Sequence, residues 1–262
     1  MGNVEANMQK QIREILEEVK NEYPPEMQMY IHKNLDRFIY QVEKTLEFMG
    51  GGRGTLLDVG AGFSPFALVC ARLGMTVTIA DDFGDPMHID QSVLTVFKKY
   101  GVRVLSGDIF EMSWPFKEED LDVVTTFDSM EHWHQSPKNL FQQLFSFVKP
   151  SGVMWVNVPN CVNLRKRMTV PFGYGKWSSM QDWYESPVFR GHVREPDVND
   201  LRYIAKDLGC AHPIIEGKNW IGYRSPRRWV KVLTPWVDCL LQLNPALCSD
   251  IYLVMVKRDD ER

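Results

Sequence analysis

The chain has 262 residues, of which 44% are apolar, and a net charge of −4. A chain of this kind can bury a full core as one large domain, and it lacks the positive surplus that draws a protein to nucleic acid. Its five cysteines (Cys70, Cys161, Cys210, Cys239 and Cys248) form no C-x-x-C pair and signal neither a disulfide framework nor a zinc site, which fits a reducing cytoplasm.

The N-terminus is polar and has no apolar signal run, and no 18-residue apolar stretch suits a membrane span. Gly2 stands where a myristoylation signal begins, but Ala6 occupies the place of its Ser or Thr. Residues 5–20 read as a helix with Ile12, Ile15, Leu16 and Val19 on one stripe, ended by Pro24-Pro25. One further helix is expected over 27–48, closed by Gly50-Gly51-Gly52. Residues 1–52 thus form an N-terminal helical cap, and 53–262 the main domain.

From there strand and helix alternate. Strands are expected at 55–59, 76–80, 102–105, 121–127 and 153–158. Helices are expected at 64–73, 90–100 and 137–148, the last opened by Ser136-Pro137. This rhythm predicts an α/β fold, a doubly wound, mostly parallel sheet with helices on both faces. Residues 160–195 interrupt it with aromatics, Gly, Pro and Arg, and read as an inserted lid. Phe172, Tyr174, Trp177, Trp183 and Tyr184 crowd there, suited either to facing an acceptor ring or to fastening the lid. Helix 198–208 follows, with Asp197 and Asp200 spaced as a variant capping box. Strands near 211–216 and 250–256 complete a sheet of seven. Between them, 225–242 is a basic amphipathic helix. Trp229, Val232, Leu233, Trp236, Val237 and Leu240 make its stripe, behind Arg224, Arg227, Arg228 and Lys231. Such a helix either covers the sheet or makes peripheral contact with an anionic membrane.

The first strand ends in Asp58-Val59-Gly60-Ala61-Gly62-Phe63-Ser64-Pro65. A strand that breaks into a glycine turn and then a helix offers backbone to a nucleotide-like cofactor. A dinucleotide fold wants a third glycine where Pro65 stands, which disfavours the alternative of a nicotinamide-dependent oxidoreductase.

These motifs resemble the class I S-adenosylmethionine-dependent methyltransferases, in order over about residues 54–160. The resemblance implies that Asp58, Gly60, Ala61 and Gly62 surround the methionine part of the cofactor. It implies that Asp81, with Asp82 as its neighbouring alternative, holds the ribose hydroxyls. Asp108 and Ile109 of Ser106-Gly107-Asp108-Ile109 would take the adenine, and Phe127 would close over the methyl donor.

After the fourth strand, Asp128-Ser129-Met130-Glu131-His132 resembles the E-H pair of a subgroup that includes the quinone-biosynthesis O-methyltransferases. His132, with Glu131, is the first candidate for base or acceptor contact, or else tethers the loop by a backbone hydrogen bond. The same resemblance raises a divalent metal on Asp128, Glu131 and His132, although Asp128 is shorter than the Glu usual there. Gly191-His192-Val193-Arg194-Glu195 resembles a stretch of methyltransferases linked to cell-surface glycans. It would aim His192 at the acceptor and use Arg194 to bind it, unless Arg194 simply pairs with Glu195 or Asp197. Trp183 of the lid is a further acceptor contact.

The expected function is methyl transfer to an oxygen, less readily a nitrogen, of a small molecule or glycan. Nucleic acid is disfavoured further because no Asn/Asp-Pro-Pro-aromatic run follows the fourth strand. A non-catalytic cofactor-binding partner protein is the remaining alternative, opposed by the retained Glu131-His132 and Gly191-His192. The expected location is cytoplasmic, with membrane association if the 225–242 helix provides it.

Overall fold

A computed structural model describes residues 2–51, 53–84, 92–174 and 178–258. Gly52, Trp177 and the start of the 90–100 helix lie outside them. Seven strands form one mostly parallel sheet in the order β3-β2-β1-β4-β5-β7-β6. They are β1 (Thr55–Val59), β2 (Thr76–Asp81), β3 (Arg103–Ser106), β4 (Leu121–Phe127), β5 (Val148–Pro159), β6 (Ile214–Lys218) and β7 (Asp250–Val256). β1 pairs in parallel with β2 and β4, and β2 with β3. β6 runs antiparallel to β7. The order reverses between β1 and β4, the switch point where open α/β sheets bind ligands beyond their strand ends.

The chain divides into two compact units. The first, residues 1–125 and 146–153, contains the N-terminal helices α1 (Gly2–Lys20), α2 (Pro25–Lys33) and α3 (Leu35–Phe48), together with α4 (Pro65–Arg72) and α5 (Ser92–Lys99). Ile12, Leu16 and Val19 of α1 are buried, and α1 packs on α3 and α4. Arg72 joins α4 to Glu18 of α1 at 2.8 Å. The helix expected over 27–48 is two helices. Asn34 sits between them at φ −109°, and its side-chain N–H donates to the Tyr30 carbonyl at 2.8 Å. Asparagine offers the backbone this local alternative to helix, which apolar spacing does not register. α4 opens as expected, with Ser64 Oγ accepting from Phe66 N.

The second unit, residues 126–145 and 154–262, holds a 3-10 turn (Met130–His132), most of α6 (Lys138–Phe147), the 160–195 segment and the C-terminal elements. That segment contains α7 (Leu164–Thr169) and α8 (Met180–Glu185). Phe172, Tyr174, Trp183 and Tyr184 are exposed, so they do not fasten it by burial. α9 (Val198–Asp207) carries a complete capping box. Asp197 accepts from Asn199 N and Asp200 N, and Asp200 accepts from Asp197 N. After α10 (Trp220–Tyr223) comes α11 (Arg228–Leu241), whose orientation departs from that of a covering helix. Its buried residues are Thr234 and Asp238, while the Trp229–Leu240 stripe is exposed.

Candidate active site

In the first unit, three strand ends converge through the backbone around Asp81. Gly60 N donates to Ala80 O at 2.8 Å, and Gly107 N to Asp81 O at 3.0 Å. The Asp81 carboxylate accepts from Gly62 N at 2.9 Å and Phe83 N at 2.8 Å. The neighbouring Asp82 side chain also bears on this carboxyl. Gly60 and Gly62 have φ of 67° and 51°, a left-handed backbone that glycine adopts without steric cost. A Cβ added at Gly62 or at Gly107 would meet nothing within 4 Å, so the backbone at both strand ends borders open space. Asp58 is buried beneath the loop, and Thr125 Oγ1 donates to it at 2.7 Å. Burial pushes its pKa up to about 7, against the Thr125 hydrogen bond and with the help of the Asp81 charge. Burial likewise raises Asp81, opposed by the amides of Phe83 and Gly62. Asp82 and Asp108 are exposed and cap local turns, accepting from Gly84 N and Phe110 N, each at 2.8 Å. Ile109 is buried beside Asp108. This set of backbone donors and carboxylates fits a cofactor bearing ribose hydroxyls and an adenine amino group.

In the second unit, Phe127 at the end of β4 stacks edge-on against Trp155, ring centres 4.9 Å apart. The 3-10 turn that follows buries Glu131 at 1% exposure. The Glu131 carbonyl accepts from Val193 N at 2.7 Å and Arg194 N at 3.2 Å, which draws the 190–195 segment onto the turn. His132 Nδ1 lies 2.7 Å from the Arg190 carbonyl, and a carbonyl can only accept, so Nδ1 carries the proton and Nε2 keeps its lone pair. Burial holds the His132 pKa below its ordinary value, against the Arg190 hydrogen bond and aided by neighbouring His192. His192 Nδ1 lies 2.7 Å from Glu195 Oε1, and a carboxylate oxygen can only accept, so Nδ1 carries a proton. Glu195 receives Lys166 Nζ as well. Burial works to raise the Glu195 carboxyl, but the His192 and Lys166 hydrogen bonds outweigh it and hold the pKa below the usual range. The two imidazoles meet edge to face at 4.8 Å. One donor atom from each of Glu131, His132 and His192 lies within 4.8 Å of the other two.

A family model described as a methyltransferase domain matches residues 12–212. The chain belongs to the methyltransferase-domain family. This methyltransferase is an enzyme of class I that uses S-adenosylmethionine. Among solved structures, an S-adenosylmethionine-dependent methyltransferase from Thermotoga maritima superposes with a TM-score of 0.57 at 12% identity, over 93% of this chain and 100% of that one. A phosphoethanolamine N-methyltransferase from Haemonchus contortus, with phosphomonomethylethanolamine and S-adenosylhomocysteine bound, gives 0.54 at 15% identity, over 84% of this chain and 52% of that one. A 1,6-didemethyltoxoflavin N1-methyltransferase from Burkholderia thailandensis gives 0.51 at 16% identity, over 83% and 77%. No curated protein matches the sequence. No described helix of the methyltransferase is long and apolar enough to cross a membrane.

The structure thus groups Asp58, Gly60, Gly62, Asp81 and Gly107 in one unit, and Glu131, His132 and His192 in the other. Asp128, at φ 47°, stands outside the three-residue donor group, and His192 takes the place the D-x-x-E-H pattern gave it. Arg194 pairs with Asp200 at 3.2 Å rather than with Glu195 or Asp197, and Trp183 is exposed on α8. Sequence reasoning missed Glu195 as the group that orients His192. The signal available was its spacing of three residues from the histidine.

Proposed function

We propose that this methyltransferase methylates an oxygen of a small-molecule or glycan acceptor, with His192 as general base. The observation that carries this reading is the His192–Glu195 pair. A carboxylate that accepts from Nδ1 fixes the imidazole tautomer and leaves Nε2 to take the hydroxyl proton. When bound, S-adenosylmethionine supplies a methyl group already activated by its sulfonium. The protein's part is to position the acceptor, receive its proton and exclude water. His132, kept neutral by burial, presents a second Nε2 for an acceptor hydrogen bond, and Glu131 ties both histidines to one turn.

On the cofactor side, Asp58, Gly60, Ala61 and Gly62 would hold the methionine part, and Asp81, flanked by Asp82, the ribose hydroxyls. Asp108 and Ile109 would hold the adenine, and Phe127 would border the methyl donor. Residues 160–195 would act as a lid, with Trp183 and Arg194 meeting the acceptor once Arg194 exchanges Asp200 for an anionic group. A second reading rests on the donor spacing of Glu131, His132 and His192. Two nitrogens and one carboxylate oxygen suit a divalent cation, which would polarise the acceptor oxygen.

The test is product analysis. Incubation with S-adenosylmethionine and a panel of hydroxylated acceptors should release S-adenosylhomocysteine and yield an O-methyl product by mass spectrometry. Methylation of amines alone would refute the oxygen assignment.

A further inference from the structure

The amphipathic helix α11 is turned inside out. Its inner face is polar and held by hydrogen bonds. Asn219 Nδ2 donates to Asp238 at 2.6 Å, Tyr223 O–H donates to Asp238 at 3.3 Å, and Lys218 Nζ donates to Gln242 at 3.1 Å. Thr234 is buried beside Gly222, where an added Cβ would lie 2.3 Å from Thr234 Oγ1. Its outer face is the apolar one. Trp229, Val232, Leu233, Trp236, Val237 and Leu240, spaced three and four apart, are each 47–76% exposed. Leu243, just past the helix, extends the stripe at 82%. A contiguous apolar stripe left in water marks a surface that another phase or molecule covers.

The charges around it identify the cover. Residues 217–237 contain Lys218, Arg224, Arg227, Arg228 and Lys231 and no acid, in a chain whose net charge is −4. The first acid beyond them, Asp238, is buried on the inner face. Nε and one terminal nitrogen of Arg224 are shielded from water and have no hydrogen-bond partner among the described residues. A second copy of this stripe would bring like charges together, whereas an anionic lipid surface supplies phosphates to the cations and acyl chains to the stripe. Two tryptophans suit the interfacial zone, where one end of the ring is apolar and the other wet. Fourteen residues of helix span roughly 21 Å, short of the roughly 30 Å of bilayer hydrocarbon, so the helix lies in the plane. The same unit exposes a further apolar set in the 160–195 segment, including Phe172, Met180, Tyr184 and Val188.

We propose that α11 docks this methyltransferase on the surface of an anionic phospholipid membrane, through its Trp-Leu stripe and flanking arginines. The docking does not depend on which acceptor is methylated. The full chain should co-sediment with phosphatidylcholine–phosphatidylglycerol vesicles at low salt and weakly with pure phosphatidylcholine. Its binding should fall in about 0.5 M salt, where screening acts over a few ångströms. R227E/R228E/K231E should weaken binding to anionic vesicles by about 100-fold, and W229A/W236A by roughly tenfold or more. Melting temperature should hold in both variants, because every replaced side chain is exposed. L240E, at the far end of the stripe, repeats the test if the double variant is unstable. The proposal is overturned by absence of binding to anionic vesicles at low salt, or by unchanged binding in both variants. A wild-type dimer that W229A/W236A dissociates, without vesicle binding, assigns the stripe to self-association and overturns it equally.

Discussion

Asp58→Asn should make the enzyme more stable above neutral pH, and the gain should disappear in acid. Asp58 is 2% exposed, and burial moves its pKa from 3.8 to about 7. Its folded pKa therefore lies above its unfolded one. The stability this carboxyl provides is fully present below about pH 4 and is lost as pH rises through about 7. Between those two values each pH unit removes about 1.4 kcal/mol, because the unfolded chain has released the proton that the folded one still holds. From pH 5 to pH 8 the wild type should thus lose roughly 3 kcal/mol relative to the variant. Asparagine is close in shape and keeps an oxygen to accept from Thr125, so the cavity and the hydrogen bond survive. The assay is urea unfolding of both proteins at half-unit pH steps, comparing midpoints at equal m-values. A stability difference that stays constant from pH 5 to pH 8 would refute the premise that Asp58 is neutralised by its surroundings.

Four shorter tests bear on the site. His192→Ala should lower kcat by about 100-fold, the range of general-base catalysis, while calorimetry finds the S-adenosylmethionine affinity unchanged. Glu195→Gln should cost a similar factor, because an amide N–H can donate to Nδ1 and move the proton onto Nε2. An unaltered kcat would remove the pair from catalysis. Gly62→Ala should cost about 1–2 kcal/mol of stability by urea unfolding for its left-handed backbone, yet its new methyl group meets no neighbouring atom. Its S-adenosylmethionine affinity should fall more than tenfold if that open space is the cofactor's. Exhaustive chelation should leave kcat intact where His192 is the base, and loss of activity restored by a divalent cation would assign Glu131, His132 and His192 to a metal instead.

The parts of this molecule legible in sequence are those decided locally. β1, β4 and β7 carry apolar runs bounded by charged, glycine or polar residues, and their ends fall where those residues predict. The Asp197–Asp200 capping box joins residues three apart, so spacing was sufficient. Asn34 splits a helix through a side-chain hydrogen bond that no hydrophobic period records. The period of α11 was plain, but a period does not say which face is inward. That was decided by Asn219 and Tyr223, which bind Asp238 from outside the helix. His132 and His192 were each visible as motifs. Their encounter depends on backbone hydrogen bonds across some sixty residues of chain, which leave no pattern in side-chain type.

The hydrogen bonds between the 130–132 turn and the 190–195 segment run both ways: the Glu131 carbonyl receives two backbone amides, and the Arg190 carbonyl receives the His132 ring N–H. Releasing the segment therefore cannot remove one element of the site at a time. It withdraws His192, frees the His132 ring to exchange tautomers and exposes the Val193 amide in a single event. On the proposed assignment of His192 as the base, the site assembles and comes apart as one cooperative unit. The hydrogen-exchange rate of the Val193 amide should then rise with the fraction of molecules from which His192 has been withdrawn.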